Sequence, residues 1–353
     1  MNLMIYKNDF ERIGIVDQFK SLIWHRKFFT SGIFQIVAPA TENNLELLKK
    51  RNIIHKPGRK DAGYIDSVTI ANAEDGEWIT ASGYFLTGLL ARRVIPQQTN
   101  ISGTYESIMR SLVENNAISA REIPYLSLGT LNGYTEAGIV QIIGENLLTY
   151  LGKLAQVSNT GFYNKFSRNG MTFETYKGVD HSAEQSVNPR VVFSEDYDNL
   201  GGSEYNNSEA THISTAFVLG EFDGVESLLE VGSDATGWDR FETFVNAGQI
   251  SNNNGEITED GFLEILTEKG QEAFKPIVEN FNGTVQTDSA SAVYGKDYDL
   301  GDIVTVFSKK WNIKISVRVT EIEEVDDETG SFIVPYFGAT EPALSDILKA
   351  GVY

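Results

Sequence analysis

Four histidines are the first place to look for metal or proton chemistry in this chain, and their spacing does not favour it. His25, His55, His181 and His212 stand apart, none with another histidine three or four residues away. Metal sites usually draw two ligands from one local element. A site assembled from distant histidines stays open, while His25, inside SLIWHRKFF, reads as an ordinary strand residue. Cysteine is absent, which excludes disulfides, thiolate metal sites and cysteine nucleophiles together. Carboxylates are abundant instead, 49 of them, so some pair will always look catalytic. Asp234 and Asp239 flank Trp238 in GSDATGWDR, and an acid pair beside an aromatic suits glycoside hydrolysis. The competing reading, a connecting loop around Gly232 and Gly237, is preferred. Asn252-Asn253-Asn254-Gly255 has the composition of a calcium loop. With Gly255 at the sixth position, however, the first and twelfth would be Ile250 and Gly261, neither a ligand. No G-x-S-x-G elbow, Walker loop or H-E-x-x-H is present. Catalytic, cofactor-binding and metal-binding residues are therefore set at none, and no enzyme is expected.

The elements around these residues are easier to read. From Tyr298 to Gly338 the chain reads as a β-meander: Ile313, Ile315, Val317 and Val319 alternate with Lys314, Ser316, Arg318 and Thr320. Gly301-Asp302 opens the run IVTVF before it, and Asp326 to Gly330 supplies the turn after it. Residues 1–98 read as a β-rich unit with two short helices. Its strand candidates are LMIYK, RIGIV, SLIWHRKFF and GIFQIVA; Thr41 caps a helix, and Glu74-Asp75-Gly76 turns a hairpin. Residues 99–178 read as α+β. Ile108, Leu112 and Val113 mark one helix face, Leu147, Leu148, Leu151 and Leu154 another, and Asn169-Gly170 a tight hairpin. Residues 179–338 return to strands, interrupted by a helix over 258–278 that Pro276 should end or kink. Residues 339–353 look like an appended tail. The expected architecture is a β-rich α+β chain, with a second barrel carrying a helical insertion.

The formal charge of −20 is unevenly placed. Residues 1–60 hold eleven Lys and Arg against five Asp and Glu, a net +6, which leaves −26 for the remainder. A bulk surface this acidic should not bind nucleic acid, since phosphate contacts need cations. The basic segment is expected either to face an acidic partner, including another copy of the chain, or to be a solvated face. The longest apolar runs fall short of the ~20 residues that cross a bilayer. No secretory leader is read at the N-terminus.

In order along the chain, RIGIVDQFKSLIWHRKFFTSGIFQIVAP, AGYIDSV with ASGYFLTGLLARRVI, GENLLTYLGKL, FETYKGVDHS, VVFSEDYDNL and YGKDYDLGDIVTV resemble the siphophage tail-hub proteins of the ReqiPepy type. The likeness runs from about residue 3 to 338. It implies two tube-like β-barrel domains, 1–98 and 179–338, with an α+β domain between them. It also implies a homotrimer whose six barrels continue and close the tail tube at the tip of a virion assembled in a bacterial cytoplasm. The implied neighbours are a distal tail ring, the tape-measure protein and tail fibre or receptor-binding proteins, with DNA passing through unbound. A negative lining of residues 61–353 would suit that passage. The likeness brings no catalytic motif and no cofactor. By residue type, Trp24, Arg92, Arg93 and Trp311 are the interface candidates. The rival from another class is a glycan-active β-rich protein, either a hydrolase or a binding module.

Overall fold

A computed structural model describes residues 1–74, 76–250, 257–286 and 292–338. The expected tail at 339–353 and the Asn252–Gly255 run lie outside these residues. The first stretch forms β1 (Leu3–Tyr6), β2 (Arg12–Val16), β3 (Ser21–Lys27), β4 (Ile33–Pro39), β5 (Ile53–His55), β6 (Gly63–Ala73) and β7 (Gly76–Phe85). Between β4 and β5, α1 (Glu42–Leu47) starts at Thr41, whose hydroxyl accepts from the Asn44 amide at 3.2 Å. After β7 the FLTGLLARR segment makes a short 3₁₀ helix, Leu86–Arg92. The strands hydrogen-bond in the order β3-β4-β7-β6-β5-β1-β2. Val16 and Ile5 near one end of that order share a core with Leu22 and Trp24 at the other, so the sheet is curled. No ladder joins β2 to β3 among the described residues.

The middle stretch holds β8 (Thr99–Thr104), α2 (Tyr105–Val113), β9 (Leu126–Leu128), β10 (Ala137–Ile142), α3 (Leu147–Ser158), β11 (Gly161–Ser167) and β12 (Gly170–Tyr176). The helical spacing read in the sequence puts Ile108, Leu112, Val113, Leu147, Leu151 and Leu154 in one core. The Asn-Gly hairpin joins β11 to β12, pairing Ser167 with Gly170.

The last stretch begins with β13 (Val192–Phe193) and β14 (Gly201–Ser208). An insertion follows that is larger than the single helix expected. It comprises β15 (Thr215–Phe222), β16 (Val225–Gly232), β17 (Glu242–Ile250) and α4 (Glu259–Ala273). These strands form their own sheet, and Phe262, Ile265 and Leu266 of α4 pack on Ala216 and Val218. The helix is capped at Phe274, whose backbone is extended, short of the expected position 278. Pro276 lies two residues further on, and Val278 already opens β18 (Val278–Gln286). Proline cannot join the helical ladder and biases the residue before it away from helix.

The meander closes the chain as β19 (Ile303–Ser308), β20 (Ile313–Asp327) and β21 (Gly330–Gly338). The 15-residue β20 organises the molecule. Its first part pairs with β19, and its second part lies between β21 and β3, with Glu321 opposite Lys27 and Asp327 opposite Ser21. Strands of the two β-rich stretches therefore share one 13-stranded sheet. The clean alternation of β20 fades where it enters this sheet, and Val319 through Ile322 are all buried.

Candidate functional site

The densest polar construction joins the two halves across β3 and β20. The period-2 pattern of β3 turns Leu22, Trp24 and Arg26 to its covered face. Trp24 and Leu22 are apolar there, but Arg26 needs partners. Its Nε lies 2.6 Å from Asp61, and one terminal nitrogen lies 2.6 Å from both Asp299 and the Tyr294 hydroxyl. Burial disfavours the charged guanidinium, yet Asp61 and Asp299 outweigh it and raise the Arg26 pKa. Burial likewise opposes ionisation of Asp299, but Arg26 holds its carboxyl below the usual range. Next along the seam, Lys56 and Arg59 reach Glu324 at 2.6 and 2.8 Å, and the Arg59 guanidinium sits 4.4 Å above the Tyr294 ring. On the other face of β3, Lys27 and His25 lie 3.0 and 2.6 Å from Glu321. Burial would raise the Glu321 pKa, but these two partners lower it. Much of the basic N-terminal charge is thus met by the acidic C-terminal half of the same chain.

Close backbone packing completes the junction. Phe28, fully buried, lies edge-on to Tyr176, with the Arg318 guanidinium 5.0 Å from its ring. A Cβ on Gly178 would sit 1.9 Å from the Gly301 carbonyl oxygen, and one on Gly301, which has φ +95°, would sit 2.4 Å from Phe28. Only glycine satisfies both. The segments RKFF, FETYKGVDHS and DYDLGD, far apart in sequence, meet here.

A second buried group went unnoticed in the sequence. Glu106, in the first turn of α2, is 1% exposed. It accepts hydrogen bonds from the amides of Asn132, Gly133 and Tyr134 at 2.8, 3.0 and 3.3 Å, and from the Thr175 hydroxyl at 2.8 Å. Burial would raise its pKa, but these donors lower it. Tyr105 and Tyr150 donate to Glu268 and Glu272 of α4 at 2.7 and 2.8 Å, tying the insertion to the middle unit. Burial raises the Glu268 pKa. The placement of Glu106 in an acidic first turn was visible in the sequence. Its partners, 26 to 69 residues away, were not.

The residues singled out in the sequence lie apart. Trp24 is fully buried in its own chain, its ring centre 4.7 Å from that of Phe85, and it has no surface to offer a neighbour. The alternation Leu22, Trp24, Arg26 already carried that signal. Arg92 pairs with Asp66 at 2.7 Å and lies over Tyr64, whereas Arg93 donates to the carbonyls of Arg121 and Glu122. Both line a groove of about 440 Å³ with Phe10 and Tyr125. Trp311, in the β19–β20 turn, is 38% exposed and packs against Phe281. Another cavity, about 300 Å³, lies at the seam beside Lys56, Arg59, Tyr294 and Glu324. Asp234, Trp238 and Asp239 are exposed and line neither space. Among the described residues, no group of three His, Cys, Asp or Glu side chains is placed to hold a metal ion, and no helix is long and apolar enough to cross a membrane.

Solved structures share this fold. The tail protein from Neisseria meningitidis MC58 is 13% identical, covers 96% of each chain and superposes with a TM-score of 0.60. The 43 kDa tail protein of prophage MuSo2 from Shewanella oneidensis is 14% identical over 96% of this chain and 98% of its own, with a TM-score of 0.59. Prophage tail protein gp18 from Listeria monocytogenes EGD-e gives 11% identity, coverage of 99% and 98%, and a TM-score of 0.54. No curated protein matches the sequence. A family model described as Siphovirus ReqiPepy6 Gp37-like protein spans residues 2–339. With nearly all of its length inside that match, the chain belongs to the Siphovirus ReqiPepy6 Gp37-like family.

Proposed function

We propose that this protein is a structural, non-enzymatic hub at the tip of a siphophage-type tail, with three copies forming a ring that continues and closes the tail tube. The observation that carries this reading is the β3–β20 seam, which joins two β-cores in one sheet. A chain that supplies two tube-like units gives six around a threefold axis, the number needed to match a six-fold tube. The family and the fold shared with phage and prophage tail proteins support a place in the tail. In this reading the two β-cores act as tube-like barrels. The exposed ends of the sheet order, β2 and β14, face neighbouring copies, because an open edge is seldom left uncovered. Arg92, Arg93 and Trp311 reach the surface and are the contacts assigned to adjoining chains. Those chains are a distal tail ring, the tape-measure protein and tail fibre or receptor-binding proteins. The acidic excess lines the channel, so DNA passes without being held. No cofactor takes part. Light scattering after size exclusion, with electron-microscopic class averages, tests this proposal. The expected particle has three times the mass of one chain and six lobes around an open or plugged centre. A particle of single-chain mass at every concentration overturns it.

A further inference from the structure

The outer face of the inserted sheet is unusual for an unpartnered surface. Strands lie in the order β16-β15-β17, and α4 covers one side. On the other side Phe217 stands opposite Phe244, and Leu219 opposite Leu228. Leu228 and Phe244 are 59% and 60% exposed. Carboxylates surround this apolar centre. Glu221 and Glu226 are directly opposed in register, an arrangement that destabilises a sheet unless a cation intervenes. Among the described residues neither has an ion pair. On the far flank, Glu230 and Glu242 share Arg240 at 2.8 and 2.5 Å. Residues 215–250 hold seven acids and that single arginine, a net of −6.

The complementary surface is carried by the same chain. Once the seam has taken Arg26, Lys27, Lys56 and Arg59, the exposed cations Arg12, Lys50 and Arg51 remain without an ion pair. Arg12 opens the edge strand β2, and Lys50 and Arg51 follow α1, which packs on β2. A closed ring of identical chains needs two different surfaces that fit each other, because its contacts are heterologous. Building on the ring reading above, we propose that the acid-rimmed face of the β15–β17 sheet docks on the cationic β2 edge of a second copy. Three strands of eight or nine residues offer a face on the order of 400 Å², about half of what one partner of a stable interface usually buries. The contact therefore works alongside others around the ring and sets the orientation of the copies by charge.

Sedimentation equilibrium of the full chain tests the pairing, with thermal melts confirming that each variant is folded. Glu226→Lys with Glu230→Lys on the sheet, or Arg12→Glu with Lys50→Glu on the edge, should each weaken assembly about tenfold or more. A chain carrying all four reversals should return to within about threefold of wild type, because charge attraction is restored with its sign exchanged. Assembly unchanged by either pair of reversals, or not restored by all four together, overturns this contact and leaves the ring standing. A wild-type chain that never assembles overturns both.

Discussion

Glu106 shows how one side chain can hold a connection that has no regular structure of its own. Its two oxygens take three consecutive backbone amides, the Asn132 side chain and the Thr175 hydroxyl. Replacing it with Gln keeps the shape but turns an NH2 group toward amide donors, leaving buried groups unpaired. The Glu106→Gln variant should lose about 1–3 kcal/mol at neutral pH, read as a lower urea midpoint. The pH dependence has a definite sign. The folded pKa of Glu106 lies below its ordinary value, so its contribution is complete above about pH 4.3, the unfolded value. That contribution disappears as pH falls through the folded pKa. Urea midpoints of wild type and variant should therefore converge in acid, and a gap that persists or widens there would show that the carboxylate charge is not what holds the loop.

At the scale of elements, the β3–β20 ladder decides how the two halves are joined, and Arg26 is its most exposed weakness. Removing a buried ion-pair partner leaves an uncompensated charge, at a cost of about 3–5 kcal/mol. Arg26→Met should therefore destabilise the chain strongly, because Asp61, 8% exposed at its side chain, is left facing no cation. Adding Asp61→Asn should recover part of that loss, since the stranded charge is then gone. Chemical denaturation of the two single variants and the double variant gives the coupling, and strictly additive losses would show that the pair does not act as a unit. The same ladder explains why the neat alternation of the meander misled at its far end. Past Arg318 the polar side chains of β20 are covered because they meet partners within the chain, Glu321 beside Lys27 and His25, and Glu324 beside Lys56 and Arg59.

For the whole molecule, charge placement connects the parts. The basic first sixty residues read either as a surface for an acidic partner or as a solvated face, and much of that charge is answered within the chain. Among the described residues, the exposed cations of this stretch without an ion pair include Arg12 on β2 and Lys50 and Arg51 after α1. If the acidic remainder lines the channel of an assembled ring, duplex DNA should show no retardation by the protein near 0.15 M salt. Salt-sensitive binding there would contradict an acidic lining, since it requires cations facing the phosphates.

Local rules were enough for the strands, the Thr41 cap, the two amphipathic helices and the Asn-Gly hairpin, because each depends on neighbours within a few residues. The ordered segments were also enough to name the family. Whether β20 lies beside β3 was decided only in three dimensions, as were the partners of Arg26 and Glu106 and the separate sheet that the strands of the insertion form. Pairing between segments about 300 residues apart is set by mutual burial and charge satisfaction, and those energies have no local signature in sequence.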